Sequence, residues 1–361
     1  MASQMPKEEI GAAAFLRQYP EYDGRGVIVG ILDTGIDPGA AGLQVCPDGS
    51  RKLVDVIDCT GSGDVDTSHA VDAKNGTLKG LSGRTLNLPT EWPPLKPGGK
   101  YMLGMKRAFE LYPSSGLIKR VQAERRKRSL DSVQRESIAK AQAELLRADA
   151  DGGGKGEKGE KLKMVEELKK RCALLESLDG EYDDPGPLYD VVCFEDASGC
   201  WRVCVDTTEC GDLAAASLLA PYRLEHRHAT LCDDSQLNYA VEVIDGGRRV
   251  VLTVDSGAHG THVAGIVGAY YPDQPELNGV APGCKLVGLK IGDTRLSAME
   301  TGTALVRALG AAMERGVTLI NMSFGEYADI DNFGRFVELA EKAVDRHGVV
   351  FVTSAGNNGP A

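Results

Sequence analysis

The sequence predicts an α/β fold: a doubly wound parallel sheet, incomplete at its C-terminal end and interrupted by a large inserted α+β region. Three observations predict it. A short β-branched run, Gly26–Leu32 (GVIVGIL), stands near the N-terminus. The C-terminal third alternates apolar runs with helical periodicity, and the stretch between is more polar and differently composed. At 361 residues the chain is long enough for a full core.

GVIVGIL is continuous rather than alternating, which marks a strand covered on both faces. It runs into Asp33-Thr34-Gly35, a polar turn at the strand's carboxyl end, where open α/β sheets gather ligands and catalytic groups. Downstream, Lys285–Ile291 (KLVGLKI) reads as a strand and Ala298–Arg315 as a helix. Val317–Asn321, Asn332–Arg346 and Val349–Thr353 then repeat strand, helix and strand, the grammar of βαβ crossovers. Residues 1–40 therefore open the α/β domain, 41–253 are inserted, and 254–361 continue it, truncated before the sheet is finished.

Within the insertion, Ile118–Ala150 and Leu162–Leu178 are rich in Lys, Arg, Glu, Leu and Ala, with a Gly/Lys/Glu tract at Gly152–Lys161 between them. They read as two polar helices on a flexible linker, exposed or packed as a helical hairpin. Two β-hairpins are expected: Tyr189–Phe194 with Trp201–Val205, and Tyr239–Ile244 with Val250–Val254 across Asp245-Gly246-Gly247.

Bulk properties exclude several function classes. Against 41 Lys+Arg stand 52 Asp+Glu, a formal charge of -11 that repels phosphate backbones, so nucleic acid is not an expected partner. No apolar stretch approaches membrane-spanning length, and the first residues have no apolar run after a basic start, so a secretory signal is not expected. Nine cysteines, odd in number and without CxxC spacing, suit free thiols in a reducing, cytoplasmic setting.

Chemistry concentrates at three places. In Asp255-Ser-Gly-Ala-His259-Gly-Thr-His262, a histidine stands at the head of a helix whose small residues (Gly260, Ala264, Gly265, Gly268) allow close packing on the sheet. A general base needs one imidazole nitrogen toward a nucleophile and the other toward a carboxylate, which Asp33 can supply. His262 is expected to be a packed structural residue. Asn357, in TSAGNNG after the last strand, can aim its amide at a developing oxyanion, or serve simply as a turn residue. Asp33-Thr34-Gly35 and Asp255-Ser256-Gly257 also spell the paired signature of aspartic proteases, but Ile36 follows the first and the flanks are α/β. His226, His228 and Cys232 are metal ligands by type with no second half-site, and no metal or cofactor is called for.

Taken together, ILDTGID, HGTHVAG, NGVAPG (278–283) and SAGNNG resemble the diagnostic segments of subtilisin-like serine proteases. RQYPEYDGRGV, VIDCTGSGDVDTS, KIGDTRLSAMETGT and the long insertion between Asp33 and His259 are similar to the tripeptidyl-peptidase II branch of that family. The resemblance implies that Asp33 and His259 are triad members and Asn357 the oxyanion asparagine. It implies that Ser323, Phe324 and Gly325 pair with substrate backbone, and that Glu300 and Glu326 bind the α-ammonium of a peptide substrate. The activity implied is release of tripeptides from free N-termini in cytosolic protein turnover, within a large homo-oligomer. For Glu300 a second reading stands beside this one, since an acidic residue early in a helix is favoured by the helix dipole alone.

The family's nucleophilic serine lies in a GTSMA-type segment beyond the oxyanion asparagine, and no serine of residues 1–361 has that context. The expectation is a fragment of a longer enzyme, inactive alone, the alternative being a non-catalytic binding or regulatory product of the same family. With Asp33 so early in the sequence, no cleavable pro-segment is expected before it.

Overall fold

Five parallel strands build the sheet that carries the site, in the order Val350–Thr353, Leu319–Met322, Ile28–Asp33, Lys285–Lys290 and Leu53–Asp58. The structure, a computed structural model, describes residues 5–128, 132–150, 158–181, 184–325 and 333–357. The Ile28–Asp33 strand is central, in register with Lys285–Lys290 on one side (Asp33 opposite Lys290) and with Leu319–Met322 on the other.

Both faces of this sheet are covered, which is why its strands read as unbroken apolar runs. On one face Leu32, Val287, Leu289 and Ile320 pack with Ala304, Ala308, Leu309 and Ala312 of the Gly302–Glu314 helix. Ala343 of the Arg335–His347 helix joins the same cluster. On the opposite face Val29, Ile31 and Leu286 pack with Ala264 of the His259–Gly268 helix, together with Tyr222 and Ala240. The doubly wound α/β arrangement is thus as the sequence predicts, with strand ends shifted by one or two residues.

Leu53–Asp58 pairs with Lys285–Lys290 at the edge of the parallel sheet. Departure from the sheet therefore comes after Asp58, later than position 41. LVDVID was missed because its alternating aspartates read as polar, yet Asp55 is held by Arg315 at 2.7 Å and Asp58 by Lys290 at 3.3 Å. Beyond it the chain forms a five-stranded antiparallel sheet that includes Tyr101–Arg107, Leu188–Glu195 and Trp201–Val205. A second, four-stranded sheet includes Asn238–Ile244 paired with Arg249–Thr253, so both expected hairpins are present.

Residues Ser115–Gly186 form a compact unit of their own. It holds helices Ser115–Arg126, Ser132–Ala150 and Lys158–Glu181, the last two packed on each other. Most of the Gly152–Lys161 tract lies outside the described residues. No described helix is long and apolar enough to cross a membrane. All nine cysteines are free thiols.

Candidate active site

Parallel strands bring their carboxyl ends to one side of a sheet, and four of the expected site segments lie at or beyond such ends in the chain. Asp33 is the last residue of the central strand, fully buried. Ser323-Phe324-Gly325 follows Leu319–Met322, and Asn357 occupies an exposed bend after Val350–Thr353. Glu300 lies beyond the Lys285–Lys290 strand, in a two-residue strand (Met299–Glu300) paired with Gly292–Asp293.

His259 is the first residue of its helix, and its Nδ1 stands 2.8 Å and 2.9 Å from the two carboxylate oxygens of Asp33. Asp33 Oδ1 also accepts from the Thr34 backbone N–H at 2.7 Å. With Nδ1 committed to the carboxylate, Nε2 is left to take a proton. The imidazole is about half exposed (52%), with the ring of Phe324 edge-on at 6.5 Å. One nitrogen is thus anchored on a buried carboxylate while the ring is half exposed, an arrangement that general-base catalysis can use.

Close approach of the helix to the strand makes this pair possible. A β-carbon on Gly260 would collide with the Gly35 carbonyl oxygen and come within 3.1 Å of Asp33 Cβ, so no larger residue fits behind His259. Thr34 knits the two segments: its Oγ1 accepts from Gly260 N–H at 2.9 Å and donates to the Gly257 carbonyl at 2.7 Å. Its own carbonyl accepts from Ser256 N–H at 2.7 Å and from Ser256 Oγ at 3.1 Å. Sequence reasoning passed over this threonine, whose only signal was its place between the aspartate and the glycine.

The chain belongs to the subtilase family. Residues 24–361 match that family, Peptidase_S8, and the Asp33–His259 pair is where its segments meet in space. The subtilase chain is 44% identical over its whole length to tripeptidyl-peptidase 2 of Oryza sativa subsp. japonica, of which it covers 27%. It is 43% identical over 96% of its length to tripeptidyl-peptidase 2 of Caenorhabditis elegans, covering 25%. Among solved structures it matches a crystal structure of tripeptidyl peptidase 2 (TPP II) with a TM-score of 0.73 and 33% identity, over 98% of this chain and 28% of that one. The chain therefore spans about a quarter of the length of these relatives.

Two expectations about the subtilase site need correction. Glu300 is not an early helix residue. The helix starts at Gly302, because Thr301 in extended conformation (φ -122°) caps it, its Oγ1 accepting from Ala304 N–H at 3.2 Å. Glu300 therefore precedes the cap in an extended segment rather than belonging to the first helical turn. His262 is not packed inside but exposed, lining a cavity of about 520 Å³ with Asp37, Asp255, Ile266 and Tyr271. Glu326 lies outside the described residues.

The second Asp-Ser-Gly does not supply a partner carboxylate for Asp33, whose oxygens are taken by His259 and Thr34. Instead burial pushes Asp255 up from 3.8 to about 6, the Asp37 charge adding to this and Lys290 opposing it. Its folded-state value is raised, so the folded protein holds this proton more tightly than the unfolded chain. Stability from the group is greatest below pH 3.8 and declines as the pH rises to about 6, where the charged form is forced into its partly buried position. Asp255→Asn should raise stability by roughly 1 kcal/mol at neutral pH, a value discounted for partial exposure, and flatten that slope. Urea unfolding at acid and neutral pH measures it, and an unchanged slope would contradict this assignment.

Proposed function

We propose that this chain forms the Asp/His part of a serine exopeptidase that releases tripeptides from the free N-termini of peptides. The carrying observation is the buried Asp33 clasping His259 Nδ1 through both oxygens while the imidazole faces solvent. On this reading a serine outside residues 1–361 attacks the third peptide carbonyl. His259 takes its proton and passes it to the leaving amine, while Asp33 holds the tautomer and stabilises the imidazolium. Asn357 donates its amide to the oxyanion, and Ser323–Gly325, just past the carboxyl end of the Leu319–Met322 strand, pairs with substrate backbone as an added strand. The 361-residue chain alone is inactive, because Asp33 and His259 then have nothing to activate.

Tripeptide length requires a group that holds the substrate α-ammonium at a set distance from the scissile bond, and Glu300 and Glu326 take this role. Similarity to tripeptidyl-peptidase 2 over the whole chain supports the substrate class. Nine free thiols suit action in the cytoplasm, in protein turnover, and the full-length protein is a homo-oligomer on the same reading.

The test uses the full-length protein. Glu326→Gln and Glu300→Gln should each lower kcat/KM for a tripeptidyl anilide with a free N-terminus about 100-fold, while acylation by a small activated ester stays nearly constant. Equal losses on both substrates would refute the amine anchor.

A further inference from the structure

The geometry points to Lys290 and Arg295 as positioning residues: they lock the short ribbon carrying Glu300 to the strand frame that carries Asp33, and so set the length of peptide released. The inference rests on the amine-anchor reading of Glu300 and adds what fixes its distance from the triad.

Asp33, Lys290 and Asp58 lie abreast on three adjacent strands. Lys290 is buried, its Nζ donating to Ser62 Oγ at 2.8 Å and to Asp58 Oδ2 at 3.3 Å. A third bond leaves this centre, from Nζ to Thr294 Oγ1 at 3.0 Å, and reaches into the loop of the ribbon. Arg295 makes a second, separate tie. Its Nε and Nη2 fork onto Asp293 at 3.0 and 2.6 Å, and Nη2 also donates to the Thr60 carbonyl at 3.3 Å. Both ties end on the same Asp58–Gly63 loop, itself wound around Asp58, which accepts from Thr60 N–H at 2.7 Å, Ser62 Oγ at 2.9 Å and Gly63 N–H at 3.0 Å.

The ribbon so held is short and stiff. Gly292 pairs with Glu300, and Ala298 N–H closes the loop onto the Asp293 carbonyl at 2.8 Å. Ser297 and Ala298 are consecutive L-residues in the left-handed region (φ 56° and 66°), a conformation that persists only where the surroundings over-determine it. A β-carbon on Gly292 would stand 2.9 Å from Ser256 Oγ, so the ribbon also abuts the turn that leads to His259. Every link from Glu300 back to Asp33 is thus a backbone pairing or a short polar contact. A carboxylate on such a mount has a fixed reach, and an amine anchor with a fixed reach measures substrate length.

The experiment uses the full-length protein with Thr294→Val, Thr294→Ser, Arg295→Ala and, as the control on the reading, Glu300→Gln. Two substrates are followed, a tripeptidyl anilide with a free N-terminus and a small activated ester, and mass spectrometry reads the first fragments cut from a longer peptide. Thr294→Val and Arg295→Ala should raise KM for the anilide about tenfold with ester turnover nearly constant, a loss of positioning rather than of chemistry. Dipeptides or tetrapeptides should join the tripeptides, and Thr294→Ser, which keeps the hydroxyl, should behave as the parent. If Glu300→Gln raises KM but the Thr294→Val and Arg295→Ala proteins keep the parent KM and release tripeptides only, the positioning role is wrong and the anchor reading stands. If Glu300→Gln leaves KM unchanged, the anchor reading fails and the inference falls with it.

Discussion

Asp33→Asn in the full-length protein should cut kcat about 10⁴-fold on both peptide and ester substrates, with KM and thermal stability little altered. Both carboxylate oxygens lie within 2.9 Å of His259 Nδ1, so the carboxylate fixes the proton on that nitrogen and leaves Nε2 as the base. An asparagine keeps the shape but can turn an N–H toward Nδ1, which drives the proton to Nε2 and removes the base. It also leaves the imidazolium uncompensated in the acylation step. Because Asp33 is fully buried, water cannot substitute for the lost charge. Steady-state turnover, normalised to reactive serine by a fluorophosphonate, measures the effect. A loss of less than about tenfold would remove Asp33 from the catalytic group.

Lys290→Met should be the most destabilising single change considered, costing about 3–5 kcal/mol, because it strands a carboxylate in the interior. Lys290 and Asp58 have side-chain exposures of 1% and 0%, so neither has access to water once its partner is gone. Burial alone would raise Asp58, but the Lys290 charge and the Thr60 and Ser62 hydrogen bonds outweigh it and hold the group below its ordinary 3.8. That depression contributes stability that is complete above pH 3.8 and is lost as the pH falls through the lower folded value. The gap between parent and variant should accordingly narrow in acid. Adding Asp58→Asn to Lys290→Met should recover part of the loss, since the stranded charge rather than the missing ammonium is the main penalty. Urea unfolding followed by tryptophan emission gives both numbers, and a single variant as stable as its parent would show that water reaches the pair.

The elements legible from the sequence were those whose burial pattern needs no partner to interpret. GVIVGIL, KLVGLKI and VTLIN are apolar enough to announce a sheet covered on both faces, and the sheet is found where they stand. LVDVID was not legible, because its aspartates are neutralised by Arg315 and Lys290 from more than two hundred residues away. Lys290 itself carried a signal that went unused. In KLVGLKI the second lysine stands between Leu289 and Ile291 inside an apolar run, a place for a buried ammonium, and a buried ammonium needs a carboxylate. Glu300 was misplaced for a local reason: Ala298, Met299 and Glu300 are themselves good helix formers, and only the observed cap at Thr301 shows that the helix begins after the glutamate.

By itself the sequence determined the fold class, the family resemblance, and the residue types of the Asp33–His259 pair, because each is carried by short contiguous segments. Tertiary structure alone decided the contacts between segments distant in the chain. It brought His259 Nδ1 onto both oxygens of Asp33, exposed His262, tied the Glu300 ribbon to the Asp58–Gly63 loop, and gave Asp255 its raised proton affinity. For the Asp33–His259 pair and the Glu300 ribbon the physical reason is the same: a side chain's role depends on which charges, hydroxyls and amides lie within about 3 Å, and residues more than two hundred positions apart meet only once the sheet is assembled.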